Sequence, residues 1–590
     1  MKRKSIYSFI VIMMLGTVSM IISSCTKYLT ELPNASFSQQ AAFSNVSNAT
    51  DAVMGVYSEL AGDQGYGIRL SMYYTVDADD FVGPPNASAP DGDRRDIARY
   101  GANSSNAQLE KPWEQLYGGV ERANICIKYI PLMTQYTSGN AADQASLKRL
   151  YGEALTLRAQ FYFELIRNWG DVPAPFVPSA DQPTLALTRT NRDVIYAQIL
   201  GDLLKAESLV PWGNAAGVAR NERITLGAVK GLRARIALFA GGYSLRNDTQ
   251  VMSRRSDYLT FYQIALSECN DIINSGVHGL NASYLNLFKN YVDAHTADPA
   301  YEIIFEVGMG GGTGVADSKL GYYDGPKVNS LGNASLIPNA TYFYAFDPND
   351  TRKDVTIATY FTNLDGTKVL QKINAICSGK FRRDWITPAV SPTSLLQYFG
   401  IDWPVIRYSD ILLMYAEADN EINQGPNATD INYFNQVRTR GFGGNAALIG
   451  TTPTTYAAFF TAIQNEREFE FGGEGIRKFD LIRWNLINSA ITTTRANLTL
   501  MMNKQAPYAT LPQSMFYQNA QQTLVYGNSL YAVTPATTPT GYTKVTWVST
   551  LTSTIISSVA QYFTPNHSEL LPIPLASLQA NPNLTQNPGY

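Results

Sequence analysis

The sequence predicts a mainly α-helical fold of stacked, tetratricopeptide-like helical hairpins with a large irregular, loop-rich region carrying short strands. Apolar residues recur at helical spacing through two blocks, 40–275 and 405–485. Within them the helices follow one another in pairs joined by short turns, which is how stacked hairpins are built. Between and after the blocks, 276–400 turns rich in Gly, Asn, Asp and Pro, and 486–565 in Thr, Asn, Gln and Tyr. Both read as loop-heavy insertions on a helical scaffold, where long connections usually carry function.

In chain order, the first element is a leader. In "MKRKSIYSFIVIMMLGTVSMIISSCTKYLTELP" three basic residues precede an apolar run from Ile6 to Ile22. That is the pattern of a secretory signal. Tyr7, Ser8, Thr17 and Ser19 dilute the run below what a retained membrane helix needs, about 20 apolar residues. The small pair Ser23-Ser24 ahead of Cys25 fits cleavage before a lipidated cysteine, so 1–24 is expected to leave and 25–590 to form a single folded domain.

The scaffold helices come next. Leu147, Leu150, Ala154, Leu157, Phe161 and Leu165 are three or four residues apart and share one helix face. Asp193–Leu209, Leu226–Ala240, Tyr258–Ile273, Ile406–Ile422, Ile431–Arg440 and the long stretch Tyr456–Trp484 show the same period. In 276–400 the short run "EIIFEVGM" reads as a strand.

Composition narrows the function classes. Net charge is -3 and no basic stripe is present, which argues against nucleic acid as a partner. With 36 Tyr and only 16% charged residues, the surface suits neutral polar ligands. Apart from Cys25 there are three cysteines and no CxxC, so neither a disulfide framework nor a zinc site is indicated. Cys126 and Cys269 fall in helical patterns and read as buried thiols. His278, His295 and His567 lack metal-ligand spacing, and no GxSxG nucleophile elbow occurs. "GMGGGTG" (308–314) lacks the Lys-Ser/Thr of a phosphate loop, and "DGD" (91–93) and "DPND" (347–350) read as turns without a full calcium-loop pattern.

Several motifs carry paired charges among aromatics. "LRAQFYFELIRNWGDVP" (157–173) holds Arg158 and Glu164 and should end its helix at Gly170 and Pro173. "VIRYSDILLMYAEA" (405–418) holds Arg407, Asp410 and Glu417, and "IQNEREFEFGGEGIRKFDLIRW" (463–484) holds Glu466, Arg467, Glu468 and Glu470. Such groups are most simply ion pairs that fix helix crossings. The competing reading pairs Glu417 with Glu466 as the two carboxylates of a glycoside hydrolase.

These three motifs, with "FNQVRTR" (434–440), the closing "LLPIPLASLQANPNLTQNPGY" (570–590) and "SCTKYLTELP" at the start, resemble the SusD/RagB family in order and spacing. The resemblance covers the mature chain. It implies four tetratricopeptide-like helix pairs with an irregular ligand side. It also implies an outer-membrane lipoprotein facing the cell exterior, which captures a nutrient, commonly an oligosaccharide, and passes it to a SusC-like TonB-dependent transporter. Neither catalysis nor a cofactor is implied. Peptide or glycopeptide capture, and a structural partner with no ligand site, are the alternatives. The family's ligand contacts come from a loop ahead of "WEQLY" and from the irregular middle, here 77–106 and 308–345. The first holds Asp79, Asp80, Phe81, Arg94, Arg95, Tyr100 and Asn103, and the second Tyr322 and Tyr323. The first loop has no Trp, which puts helical starch itself in doubt.

Overall fold

The computed structural model describes residues 39–83, 92–215 and 222–590. The leader, Cys25 and Asp91 of the "DGD" motif lie outside the described residues.

Among the described residues nine helices form the scaffold: Val46–Tyr57, Ala107–Tyr129, Ala141–Trp169, Arg192–Glu207, Leu226–Gly241, Tyr258–Asn274, Tyr408–Asn423, Ala428–Gly441 and Tyr456–Phe471. Ala107–Tyr129 packs on Ala141–Trp169, and that helix on Arg192–Glu207. Leu226–Gly241 packs on Tyr258–Asn274, which rests on Tyr408–Asn423, itself against Ala428–Gly441 and Tyr456–Phe471. This is the stacked-hairpin row the periodicity predicts.

The helix starts follow from local chemistry. Asn45, Asn106, Asn140, Asn191, Thr225 and Asn427 each accept a hydrogen bond from an otherwise orphaned N–H of the first turn. Each such cap contributes about 1 kcal/mol. The 141–169 helix ends at Gly170, whose φ of +75° suits a residue without Cβ. Its predicted apolar face, Leu147 through Leu165, is buried in the main core. Gly119 on the facing helix is what lets Phe161 in: a Cβ there would lie 2.4 Å from Phe161 Cζ.

The paired charges are buried inside this scaffold. Arg158 makes two parallel hydrogen bonds of 2.9 Å to Asp202. Arg407 bridges Glu302, Glu470 and Glu474, Arg440 bridges Glu302 and Glu470, and Arg352 bridges Asp350, Glu466 and Glu470. Arg467 joins Asp410 to Asp480. Burial raises the Glu470 carboxyl, but Arg440, Arg407 and Arg352 outweigh it and hold the group well below the usual range. Asp410 is pulled down to about 2, since Arg467 and Arg235 overcome its burial. Removing one member of such a buried pair costs about 3–5 kcal/mol, because a charge is left without compensation.

The predicted strand appears as Ile303–Val307, antiparallel to Trp403–Arg407, which leads directly into the "RYSD" helix. The closing motif folds back on the "NWG" corner. Leu571 N–H donates to Asn168 O, Trp169 Nε1 to Pro572 O, and Asn587 Nδ2 to Trp169 O. Cys126, Cys269 and Cys377 are buried free thiols. Among the described residues no helix is long and apolar enough to cross a membrane.

The structure differs from the sequence reading in two places. The 456–484 stretch is two helices, Tyr456–Phe471 and Arg477–Arg483, because Gly473 and Gly475 take φ of +80° and +69° between them. That break points Glu474 at Arg407 and Lys380. The span 486–565 opens with a regular helix, Ile487–Met502, rather than loop. Its buried Ile487, Ile491, Thr494, Leu498 and Met501 share one face, and the run "ITTT" disguises that spacing. Beyond it, Ser514–Ala520 pairs on one side with Thr523–Tyr526 and on the other with Thr543–Thr546.

Candidate functional site

The two predicted ligand regions meet in space. Phe81–Val82 pairs antiparallel with Ile337–Pro338. Asn339 extends the seam: its N–H donates to Asp80 O at 2.8 Å, and its side-chain amide donates to Ala78 O and Asp79 O at 3.1 Å. Tyr322 and Tyr323 sit on the short helix Leu320–Tyr323, fastened by Asn333 N–H and Ser335 N–H donating to their carbonyls. The Arg94 guanidinium, from the other region, lies 5.4 Å from the Tyr73 ring centre and 5.9 Å from that of Tyr323. Tyr322 stands edge-on to Tyr323 at 5.1 Å. Each cation–π contact contributes about 0.5–1 kcal/mol at such a site. The product is a half-buried Tyr–Tyr–Arg cluster across the seam.

The other predicted residues separate by role. Asp79 receives a two-point ion pair from Arg477, at 2.8 and 2.7 Å. Asn103 is exposed and caps its own turn, accepting from Ser105 N–H and Oγ. Asp80 is buried, its carboxylate accepting from Phe81 N–H, and burial followed by the neighbouring Asp79 charge pushes it up to about 7. Phe81, 1% exposed, packs edge-on to Tyr342 in the core and presents no face to a ligand. Tyr100 is buried too, its hydroxyl donating to Asp77 O at 2.8 Å. Asp80, Phe81, Arg95 and Tyr100, which the resemblance assigns to the ligand-contacting loop, are instead buried. The loop folds inward because its aromatic groups bury more favourably than they solvate. Tyr100 and Asp77 both have positive φ, +63° and +59°, and brace one another through that hydrogen bond. Non-glycine residues held there cost about 1–2 kcal/mol each, and such strain clusters at functional sites.

Two concavities border the seam. A groove of about 420 Å³ runs past Asp79, Tyr344, Asn465, Asn497 and Tyr508. A cavity of about 470 Å³ is lined by Arg95, Arg99, Asn339 and Lys372 beside the paired strands. Rings flanked by amides and charges suit polyhydroxylated ligands, whose C–H faces stack while their hydroxyls are hydrogen-bonded. Sequence reading missed Tyr73, Gln108 and Tyr344. Gln108 Oε1 accepts from both Arg69 and Arg94 and so sets the Arg94 position. No periodicity marks these residues, since they come from three separate helical segments far apart in the chain.

The hydrolase pair is not assembled. Glu417 is 1% exposed and occupied by Arg483 and by Trp484 Nε1, while Glu466 is 2% exposed and occupied by Arg352. Neither carboxylate lines the two concavities beside the seam. In "GMGGGTG", Gly311 and Gly312 take positive φ and the Gly312 N–H donates to Asp317, giving a self-bonded turn. In "DPND", Asp347 accepts from Asn349 N–H and Asp350 pairs with Arg352. Among the described residues no His/Cys/Asp/Glu group could hold a metal ion.

Residues 278–590 match the SusD family model, and residues 27–238 match a model described as starch-binding and associating with the outer membrane. SusD-like protein P25 of Formosa agariphila is 24% identical over 502 residues, covering 79% of this chain and 88% of that protein. A SusD homolog from Bacteroides thetaiotaomicron superposes with a TM-score of 0.76 at 23% identity, covering 96% of this chain and all of that one. Surface glycan-binding protein A of the same organism, solved with laminarihexaose, superposes with a TM-score of 0.62 at 18% identity, covering 92% of this chain and 99% of that one. With more than half of its length matched by the family model and its fold shared with these structures, this chain belongs to the SusD family.

Proposed function

We propose that the protein is a cell-surface lipoprotein of the outer membrane that binds an oligosaccharide at the 77–106/308–345 seam and hands it, unaltered, to a SusC-like TonB-dependent transporter. The observation that carries this reading is the Tyr322–Tyr323–Arg94 cluster at the junction of the two regions. Rings and a guanidinium in that arrangement suit sugar stacking and bidentate hydroxyl contacts. The relative crystallised with laminarihexaose supports the ligand class. Cys25 supplies the tether, with more than one acyl chain needed for firm anchoring.

The test is a glycan array followed by calorimetry on residues 26–590, with product analysis of each bound sugar. A sugar bound and recovered intact, with affinity lost in Tyr323→Ala, is the expected result. Turnover of the sugar would revive the hydrolase reading, and binding to peptides alone would replace the oligosaccharide. For the tether, Cys25→Ala is expected to abolish acyl labelling and release the protein from the membrane.

A further inference from the structure

A cleft of about 590 Å³ lies apart from the seam: none of its lining residues belongs to 73–106 or 308–345. Its wall carries Trp385 and Tyr360, both half-buried. Five of the seven tryptophans (113, 169, 403, 484 and 547) are buried in the core, so a partly open indole on the irregular side calls for an explanation.

Arg382 fixes this wall. It is only 3% exposed, and each of its nitrogens is engaged: Nε donates to Gly379 O at 2.5 Å, Nη1 to Tyr360 Oη at 3.0 Å, and Nη2 to Asp354 O at 3.1 Å. The same guanidinium lies 4.2 Å from the Trp385 ring centre. One buried cation thus sets the positions of the indole, the phenol and the backbone at Asp354. Aromatic side chains held in this way lose little entropy when a ligand arrives.

The polar complement is present and uncommitted. Asp354 and Lys289 line the cleft, both exposed, and neither forms an ion pair among the described residues. Arg440, also in the lining, is 5% exposed. Its Nη groups are taken by Glu302 and Glu470, while its buried Nε has no hydrogen-bond partner among the described residues.

We propose that this cleft is a second glycan-binding site, taking a neutral pyranose whose C–H face stacks on Trp385 and whose hydroxyls bond Asp354 and Lys289. The cleft volume lies within the ordinary range for small-ligand sites and admits a short oligosaccharide. Two sites on one surface would raise the retention of a long glycan through effective concentration, without tighter contacts at either. The inference stands independently of the seam.

The experiment labels the full mature chain with 5-fluorotryptophan and uses Trp385→Phe to assign the Trp385 resonance. The probes are laminari-, malto-, cello- and mannohexaose. The expected result is a saturable displacement of that resonance by at least one probe. It should persist in Tyr323→Ala and weaken at least about tenfold in Asp354→Ala, an exposed position whose replacement should leave the melting temperature unchanged; tenfold corresponds to about 1.4 kcal/mol. No saturable displacement at millimolar probe, or a displacement abolished by Tyr323→Ala, overturns the inference. A Trp385 response in an unsubstituted chain that shows no Tyr323-dependent binding would count against the seam and leave this cleft standing.

Discussion

The buried acids of the scaffold and those beneath the seam are handled in opposite ways. In the scaffold, Glu470, Glu417 and Asp410 lie against guanidiniums. Under the seam, Asp77 accepts from the Gly83 and Ala560 N–H groups and Asp80 from Phe81 N–H, and neither forms an ion pair among the described residues. Asp324, next to Tyr323, is buried and likewise forms no ion pair among the described residues. The consequence appears in their protonation. Asp410 is pulled to about 2, whereas burial pushes Asp77 to about 6 and both Asp80 and Asp324 to about 7. The contrast shows what each region demands of its sequence. Ion pairs across helices need a particular partner at a particular place, whereas main-chain donors are available whatever the neighbouring side chains are. A surface held by its own backbone can vary its exposed residues, and a scaffold held by arginines cannot.

The sharpest way to break this contrast is Glu470→Ala, which takes one carboxylate partner at once from Arg352, Arg407 and Arg440. Loss of about 3–5 kcal/mol or more is expected in denaturant titration, and a change below about 1 kcal/mol would show that the network is redundant.

Gly475→Ala probes the joint between the regions. At φ +69° the new Cβ would lie 3.0 Å from Thr75 Cγ2, so about 1–2 kcal/mol of destabilisation is expected from the backbone conformation alone. Melting temperature reads it directly.

At the seam the pattern should invert. Tyr323→Ala is expected to weaken glycan affinity about tenfold, or about 1.4 kcal/mol, while costing less stability than either scaffold change. Calorimetry paired with thermal melting separates the two effects, and a variant that loses stability but keeps affinity would move the ligand elsewhere.

The smallest expected effect is on pH. Asp77, Asp80 and Asp324 have folded values raised above the unfolded ones. Their contribution to stability is therefore greatest below the unfolded value and is lost as pH rises through 6 to 7. Asp410 has the opposite sign, its contribution being lost only as pH falls toward 2. Lys353, Lys380 and Lys478, pushed down to about 8 by burial, take up most of their protons above the window of interest. Lowering pH from 7.5 to 5.5 should therefore raise the melting temperature, and Asp80→Asn should shrink that rise. A melting temperature that falls over this interval would contradict the assignment.

Much of the fold was legible because its signals are local. Apolar residues three and four apart, a capping Asn or Thr, and a Gly at the end fix a helix within a few residues of chain, and the predicted boundaries of Leu226–Ala240 and Tyr258–Ile273 fall within a residue of the observed helices. Legibility failed where side-chain chemistry disguised the period, as in Ile487–Met502, or where two glycines of positive φ interrupted it, at 473 and 475. For the site, the two regions could be named from the family resemblance, but not which of their residues face outward. Phe81 and Tyr100 are aromatic residues in a polar loop, and nothing in their neighbours along the chain tells a stacking platform from a core plug.

By itself, the sequence determined the helical hairpins, the charged motifs that belong inside them, and the family. Each depends on residues close together in the chain or on motifs held in a fixed order. Only the tertiary structure decided that Asn339 stitches 77–83 to 337–338, and that Arg94 lies over Tyr323. It also decided that Arg382 pins Trp385 to Tyr360. Those contacts join residues far apart in sequence, and their energy depends on distances that packing sets and composition does not encode.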